Sequence, residues 1–266
     1  MIHPTAVVDP GARLDATVVV GPHAVIDAGV TLGANCRVGP HVHLTGNTRI
    51  GPGNVFHSGC VIGDEPQDLK YTGAPTGLVI GEKNIFREHV TVHRSNKLEE
   101  ETVIGSNNLF MAGSHVGHNC QVGNHVILVN GALLAGHVTV EDRVFISGHA
   151  MVHQFVRLGT LSLMQGRSGI SKDLPPFTIA RGVNHIGGLN VIGLRRAGFG
   201  GPERLELRRL YHHLFRSGKN VREAAASATG QFSSEGARTM LNFINASRRG
   251  VCAPPGQGAA EDDSAE

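Results

Sequence analysis

One spacing dominates the first two thirds of the chain. Cut every six residues, the sequence reads IHPTAV, VDPGAR, LDATVV, VGPHAV, IDAGVT, LGANCR, with Ile, Val, Leu or Phe at the head of each segment. The same phase returns at Phe56, Ile80, Phe86, Val92, Phe110, Val116, Leu134, Ile146 and Ile170. Of the 29 positions in that phase between residues 2 and 170, only Asp68 and Ala74 lack a large apolar side chain, so chance cannot be its source. Six is neither the helical period nor the strand alternation of two. It is the period of a hexapeptide solenoid, a parallel β-helix in which each hexad supplies one short strand and three hexads make one triangular coil. The lead aliphatic points inward, and the Gly, Asp, Asn and Pro that follow it suit a corner. With coils about 4.8 Å apart, nine or ten would form a prism roughly 45 Å long.

Two stretches leave the pattern. Residues 63–79 (GDEPQDLKYTGAPTGLV) carry the two exceptions to the phase, and residues 95–102 (SNKLEEET) are polar and acidic. Both are expected to be loops thrown from the prism, where function commonly resides. The prism is expected over 1–180. After residue 176 the pattern becomes helical: Pro202 suits a first turn, Leu205, Leu207, Leu210, Leu214 and Phe215 form a stripe, and Gly218 suits the end. Further helices are expected over 219–229 and 234–248, giving a C-terminal helical domain over 188–250. A disordered acidic tail is expected over 251–266.

Composition adds limits. Hydrophobic residues make up 40% and aromatics 5%, with 36 Gly and no Trp, which favours thin repeated layers. A net charge of +2 is too weak to argue for nucleic acid. Between residues 190 and 250, 11 Lys and Arg face 4 Asp and Glu, a net +7, and Arg195, Arg196, Arg204, Arg208, Arg209 and Arg216 form a cationic surface suited to a phosphate or an acidic protein. No N-terminal signal pattern and no apolar run long enough to span a bilayer is present, so no transmembrane segment and a soluble, cytoplasmic protein are expected. Cys36, Cys60 and Cys120 share the fifth place of the hexad, which elsewhere holds Ala and Val, so they read as core filler. Cys252 falls in the tail. The four make no disulfide framework or zinc ribbon.

Most of the 16 histidines fall on corners: His23, His41, His89, His125, His137 and His149 at the fourth place, His3, His57, His93 and His153 at the second. In HVGHNC, residues 115–120, His118 stands apart, alone at the third place, and His115 shares the sixth place with His43. One coil further along the chain, Gly136 falls beside His118 and His137 beside Asn119. Spacing alone leaves a catalytic base, a zinc ligand and a hydrogen-bonded corner ring all open. No Asp or Glu stands beside His115 or His118 in the sequence to serve as a partner.

With QDLKY at 67–71, TVHR at 91–94, HVGHNC at 115–120, LAGHV at 134–138, VHQF at 152–155, DLPP at 173–176 and LNVIGLRRAGF at 189–199, the chain resembles the acyl-[acyl-carrier-protein]–UDP-N-acetylglucosamine O-acyltransferases of lipid A synthesis, from residue 1 to about 250. The resemblance implies a left-handed β-helix, a homotrimer with active sites in the clefts between prisms, and transfer of a 3-hydroxyacyl group from acyl carrier protein to the 3-OH of UDP-N-acetylglucosamine. It implies no cofactor and no metal. His118 matches the family's base and Gly136 its oxyanion donor. Gln67, Asp68 and Lys70 match substrate-contacting loop positions. His93, His115, His137, His153, Gln154, Asn190 and Arg196 match residues of the donor and nucleotide sites, and Gly166 falls where the family limits acyl length. Three positions depart from the family pattern: Asn119 stands where many members have Asp, Ile192 where many have Glu, and the arginine pair of the nucleotide segment sits one place early, followed by Ala197. Such changes suit N-acylation of a 3-amino sugar as an alternative. A γ-class zinc carbonic anhydrase and a non-catalytic solenoid scaffold are the readings from other classes.

Overall fold

In the computed structural model, which describes residues 1–255, the hexads form three parallel sheets that are the three faces of a left-handed β-helical prism. The first face stacks nine strands from Val7–Val8 to Gly169–Ile170. The second stacks eight from Arg13–Leu14 to Arg157–Leu158. The third has ten strands, nine stacked from Val19–Val20 to Thr178–Arg181 and a last, antiparallel one, His185–Leu189. Pairing advances by three hexads per coil, as in Val116 against Leu134 and Val122 against Val140.

Burial follows the hexad. Lead residues such as Ile26, Leu44, Val92, Val116 and Leu134 are fully enclosed, as are the fifth-place Ala24, Val42, Cys60, Cys120 and Ala132. The fourth place is a corner with φ between 54° and 60° at His23, His41, His89, Asn119, His125, His137 and His149. Asn and His tolerate this left-handed conformation better than most residues, so the fourth-place histidines are explained first by backbone geometry.

Two segments between successive strands stand outside the three sheets. The strand Val61–Asp64 and the strand Gly77–Ile80 leave 65–76 outside the prism, and Thr91–His93 and Glu101–Ile104 leave 94–100 outside. Leu98, in phase with the repeat, lies in the second excursion and is exposed. Phe56 pairs with Phe86 thirty residues on, and Phe86 with Phe110 twenty-four on, so the excursions add twelve and six residues to an ordinary coil and the phase survives. Across those insertions the coils are tied internally. Phe56, Phe86 and Phe110 stack at 4.9 and 4.7 Å between ring centroids. Beside them runs a buried amide ladder: Asn84 donates through its N–H and Nδ2 to Asn54 Oδ1, Asn108 N–H donates to Asn84 Oδ1, and Val126 N–H to Asn108 Oδ1.

The C-terminal region holds α1 (Val191–Arg196), α2 (Gly201–Phe215), α3 (Val221–Ala228) and α4 (Glu235–Asn245). Side-chain caps from Asn190, Asn220 and Ser234 open three of them, and Pro202 lies in the first turn of α2. The buried stripe of α2 is Leu207, Leu210, Tyr211, Leu214 and Phe215. Leu205, expected on it, faces solvent, and Tyr211 takes the place its spacing allows. α4 docks on the prism through Phe243, whose ring lies 4.3 Å from the Arg157 guanidinium. The start of the expected tail instead folds back: Cys252 is buried, its N–H donates to Asp173 O, and Ala253 bridges His185. The remainder, 256–266, lies outside the described residues.

Asn84→Ala would strand polar groups of three coils at once. It is expected to lower stability by about 2–4 kcal/mol, since each unpaired buried group costs about 1–3 kcal/mol. Urea unfolding checks this, and an unchanged midpoint would remove the ladder's role.

Candidate active site

The two excursions and the unusual histidines leave the prism along one edge. Each joins a strand of the first face to a strand of the second: 65–76, 94–100, then the corners holding His118, His137 and His153 in successive coils. The edge gathers His93, His115, His118, His137, Asp68 and Glu100. His93 and His115 meet edge to face at 4.8 Å, and His118 and His137 at 5.1 Å. Phe155 of the next coil stacks on His137 at 4.5 Å.

His118 lies directly over Gly136. A Cβ built on Gly136 would come within 2.6 Å of His118 Cε1 and Nε2, so only glycine lets the ring rest there. The coils are pinned at this point by His137 N–H donating to His118 O at 2.8 Å. Gly136 N–H takes no partner in the ladder among the described residues, which leaves it available near Nε2.

The other ring nitrogen is held by Asn119. Its Oδ1 lies 2.9 Å from His118 Nδ1 and accepts the backbone N–H of Asn96 at 3.0 Å. Its Nδ2 donates to Ser95 Oγ and Glu100 Oε2, both at 2.8 Å. A backbone N–H can only donate and an ionised carboxylate can only accept, so both ends orient the amide the same way. His118 Nδ1 therefore carries a proton, and in the neutral ring it is Nε2, over Gly136, that presents the lone pair. The sequence showed no acid near His115 or His118. The excursions supply two. Glu100 is one amide away from the His118 ring. Asp68 accepts Asn96 Nδ2 at 2.6 Å and the N–H of Lys70 at 3.0 Å. Those bonds, first the Lys70 N–H and then the Asn96 amide, hold the Asp68 carboxyl below its usual range.

Burial disfavours the charged form of the neighbouring rings. It pushes His115 down to about 4, helped by His93 and His118, and lowers His93 as well. His137 is lowered by burial and by His118, which together outweigh Glu100, 3.9 Å from its Nδ1. His115 Nδ1 is 2.7 Å from Thr91 Oγ1.

The first excursion is clamped by Arg94, a residue sequence reasoning quoted within TVHR but gave no role. Its guanidinium donates to Gly63 O at 2.9 Å and Tyr71 Oη at 3.0 Å and pairs with Glu65 at 3.2 Å. This holds the loop bearing Asp68, Gln67 and Lys70 against the edge, the last two exposed. His153 and Gln154 are exposed one coil beyond Gly136. Three expected residues are not brought to this edge within one chain. Gly166 sits on the edge between the third and first faces, open above, with Gly148 O at 3.4 Å the nearest atom to a Cβ built there. Asn190 caps α1 through Gly193 N–H and donates to Leu161 O, so its amide is already engaged, and Arg196 is exposed in the last turn of α1. Among the described residues no three His, Cys, Asp or Glu side chains converge as metal ligands.

Family models match both parts of the chain. One described as UDP N-acetylglucosamine O-acyltransferase, domain 2, covers residues 173–252, and one described as bacterial transferase hexapeptide covers 29–64 and 101–136. An acyl-[acyl-carrier-protein]–UDP-N-acetylglucosamine O-acyltransferase of Burkholderia lata is 48% identical over 257 residues, 94% of this chain and 98% of that protein. The chain belongs to that family. A member from a Janthinobacterium species is 45% identical over 94% of the chain and 98% of its own length. Among solved structures, the Francisella novicida UDP-N-acetylglucosamine acyltransferase superposes over the whole of both chains with a TM-score of 0.91 at 33% identity. The Bacteroides fragilis acyltransferase gives 0.90 at 36% identity, over 94% of this chain and 99% of its own. Membership of this O-acyltransferase family sets the chain apart from carbonic anhydrases and inert scaffolds.

A pH dependence of stability follows from His115. Its folded value of about 4 lies below the usual 6.5, so below pH 6.5 the unfolded chain takes up a proton that the folded chain refuses. The stabilisation from neutral His115 is full above pH 6.5 and is lost as pH falls towards 4. Melting temperatures between pH 7 and 4.5 should fall less steeply for His115→Gln than for the wild type, and equal slopes would count against the burial of this ring.

Proposed function

We propose that the chain transfers a 3-hydroxyacyl group from the thioester of acyl carrier protein to the 3-OH of UDP-N-acetylglucosamine, with His118 as general base. The observation carrying this reading is the His118 ring resting on Gly136 with Nδ1 engaged by Asn119. A sugar hydroxyl is a weak nucleophile until its proton is removed during attack, and a neutral imidazole suits that task near neutral pH. His118 Nε2 takes the 3-OH proton as the sugar oxygen attacks the thioester carbonyl. The carbonyl oxygen becomes an oxyanion, which the Gly136 N–H stabilises. Collapse of the tetrahedral intermediate breaks the C–S bond, and the proton on Nε2 passes to the departing thiolate. The products are the 3-O-acyl nucleotide sugar and free carrier protein.

Asp68, Gln67 and Lys70 on the clamped loop, with His93, His115, His137, His153 and Gln154 along the edge, would receive the substrates. The exposed Arg195, Arg196, Arg208, Arg209 and Arg216 suit an acidic carrier protein. A homotrimer fits the chemistry of the faces. Outward positions of the third face include Val55, Ile85, Leu109, Ile127, Phe145 and Leu163, and those of the first include Val25, Val61, Leu133 and Met151, whereas the second offers Arg13, Thr31, Arg49, Gln121 and Thr139. Two apolar faces covered by two neighbours would set the edge bearing Gly166 of one copy beside the His118 edge of another, where Gly166 would leave room for the acyl chain. Such a trimer working in the cytoplasm needs no membrane span, and no helix among the described residues is long and apolar enough to cross one.

Purified protein with 3-hydroxyacyl carrier proteins of several lengths and UDP-N-acetylglucosamine should yield an acylated nucleotide sugar, identified by mass. His118→Ala should lower kcat by about 10²–10⁴-fold. Gly136→Ala, which drives the ring off its seat, should lower it by about 10²-fold or more. Product only from the 3-amino sugar would redirect the reading to N-acylation, and full activity in His118→Ala would end its role as base.

A further inference from the structure

The His118–Asn119 contact leaves a question of charge. A base that becomes imidazolium during the reaction gains from a negative group behind Nδ1, and an asparagine amide has none. The amide does not stand alone, however. Its Nδ2 meets Glu100 Oε2 at 2.8 Å, and Glu100 comes from the second excursion, outside the regular coils. We propose that Glu100 is the carboxylate partner of the base, acting through the Asn119 amide as a positioning residue that fixes the His118 tautomer and lends its charge to the ring. This rests on His118 being the base.

Three features carry the inference. Asn119 uses all its hydrogen-bonding capacity in one direction: Oδ1 takes His118 Nδ1–H and Asn96 N–H, and Nδ2 gives to Ser95 and Glu100. A flipped amide would set Nδ2 against the Asn96 N–H and Oδ1 against a carboxylate, so Glu100 locks the orientation that makes Nδ1 a donor. Second, Glu100 is itself held: Lys97 Nζ binds its Oε1 at 2.9 Å, and the Lys97 and Asn119 contacts keep it ionised. Ser95, the other acceptor of Nδ2, is neutral and already accepts Lys97 N–H. Third, the other nearby carboxylate is committed elsewhere, since Asp68 accepts Asn96 Nδ2 and Lys70 N–H. The remaining charged or titratable groups facing His118 are His93, His115 and His137, with Lys97 behind Glu100. The same geometry explains why Asn rather than Asp occupies position 119. An aspartate there would set a second carboxylate 2.8 Å from Glu100 Oε2 and lose the donor both acceptors need.

The test compares Glu100→Ala, Glu100→Gln, Asn119→Asp and the double variant Asn119→Asp/Glu100→Gln by steady-state kinetics and by 15N NMR of histidine-labelled protein. Glu100→Ala is expected to lower kcat about tenfold with KM for the nucleotide sugar within about threefold, the signature of a loss felt in the transition state. Glu100→Gln keeps an acceptor without the charge and should lose less. Asn119→Asp should lose about tenfold or more, and the double variant should recover most of that loss, because the introduced glutamine amide can donate to the introduced carboxylate; such coupling is what a shared contact produces. NMR should report His118 with its proton on Nδ1 in the wild type and a mixture of tautomers in Glu100→Ala. An unchanged tautomer and kcat in Glu100→Ala, or losses that simply multiply in the double variant, would overturn the proposal. The tautomer is read without substrate, so an inactive wild type would defeat the proposed reaction while still deciding the role of Glu100.

Discussion

Everything in this molecule depends on the backbone ladder that advances one coil for every three hexads. Because each strand pairs with the strand directly above and below it, a residue's place in the hexad fixes its face or corner, and its coil fixes its height. The lead and fifth-place residues fill the interior, leaving the corners to carry whatever the outside requires. Where the chain departs for a loop and returns, stacked Phe56, Phe86 and Phe110 and the Asn54–Asn84–Asn108 amides hold the interior in register, so the loops can be shaped by chemistry without disturbing the stack.

The candidate site uses that freedom. A corner places His118 over Gly136, and the ladder holds the two coils together through the His137 N–H. The loops then bring what the corner lacks: acids, amides and the Arg94 clamp. Burial disfavours the charged form of the neighbouring His93 and His115 rings, so His118 is not surrounded by cations. Preorganisation here is divided between a rigid edge that sets distances and two short loops that set polarity.

Much of this was legible in the sequence, for a physical reason. A period that is strictly geometric converts directly to neighbours, so the His118–Gly136 juxtaposition, the buried cysteines at the fifth place and the corner histidines could be read before any coordinates. The contacts the loops make could not. Leu98 keeps the phase by coincidence and lies in solvent, and no spacing rule connects Glu100 to Asn119, because their contact runs through an irregular segment. The end of the ladder was hidden likewise: nothing in the repeat announces that Cys252 returns to cover it, or that Asn190 spends its amide on a helix cap.

The two ends of the stack are finished differently. At the C-terminal end an antiparallel strand, the helices and the returning residues 251–254 close the last coil. At the other end Ile2 and Val7 remain exposed, and the first turn pairs on one side only, through bonds such as His3 N–H to Val20 O and Val7 N–H to Ala24 O. In a nearest-neighbour stack the end with fewer neighbours opens first. The coils around His118, paired on both sides and far from the less-covered end, would therefore be among the last to open.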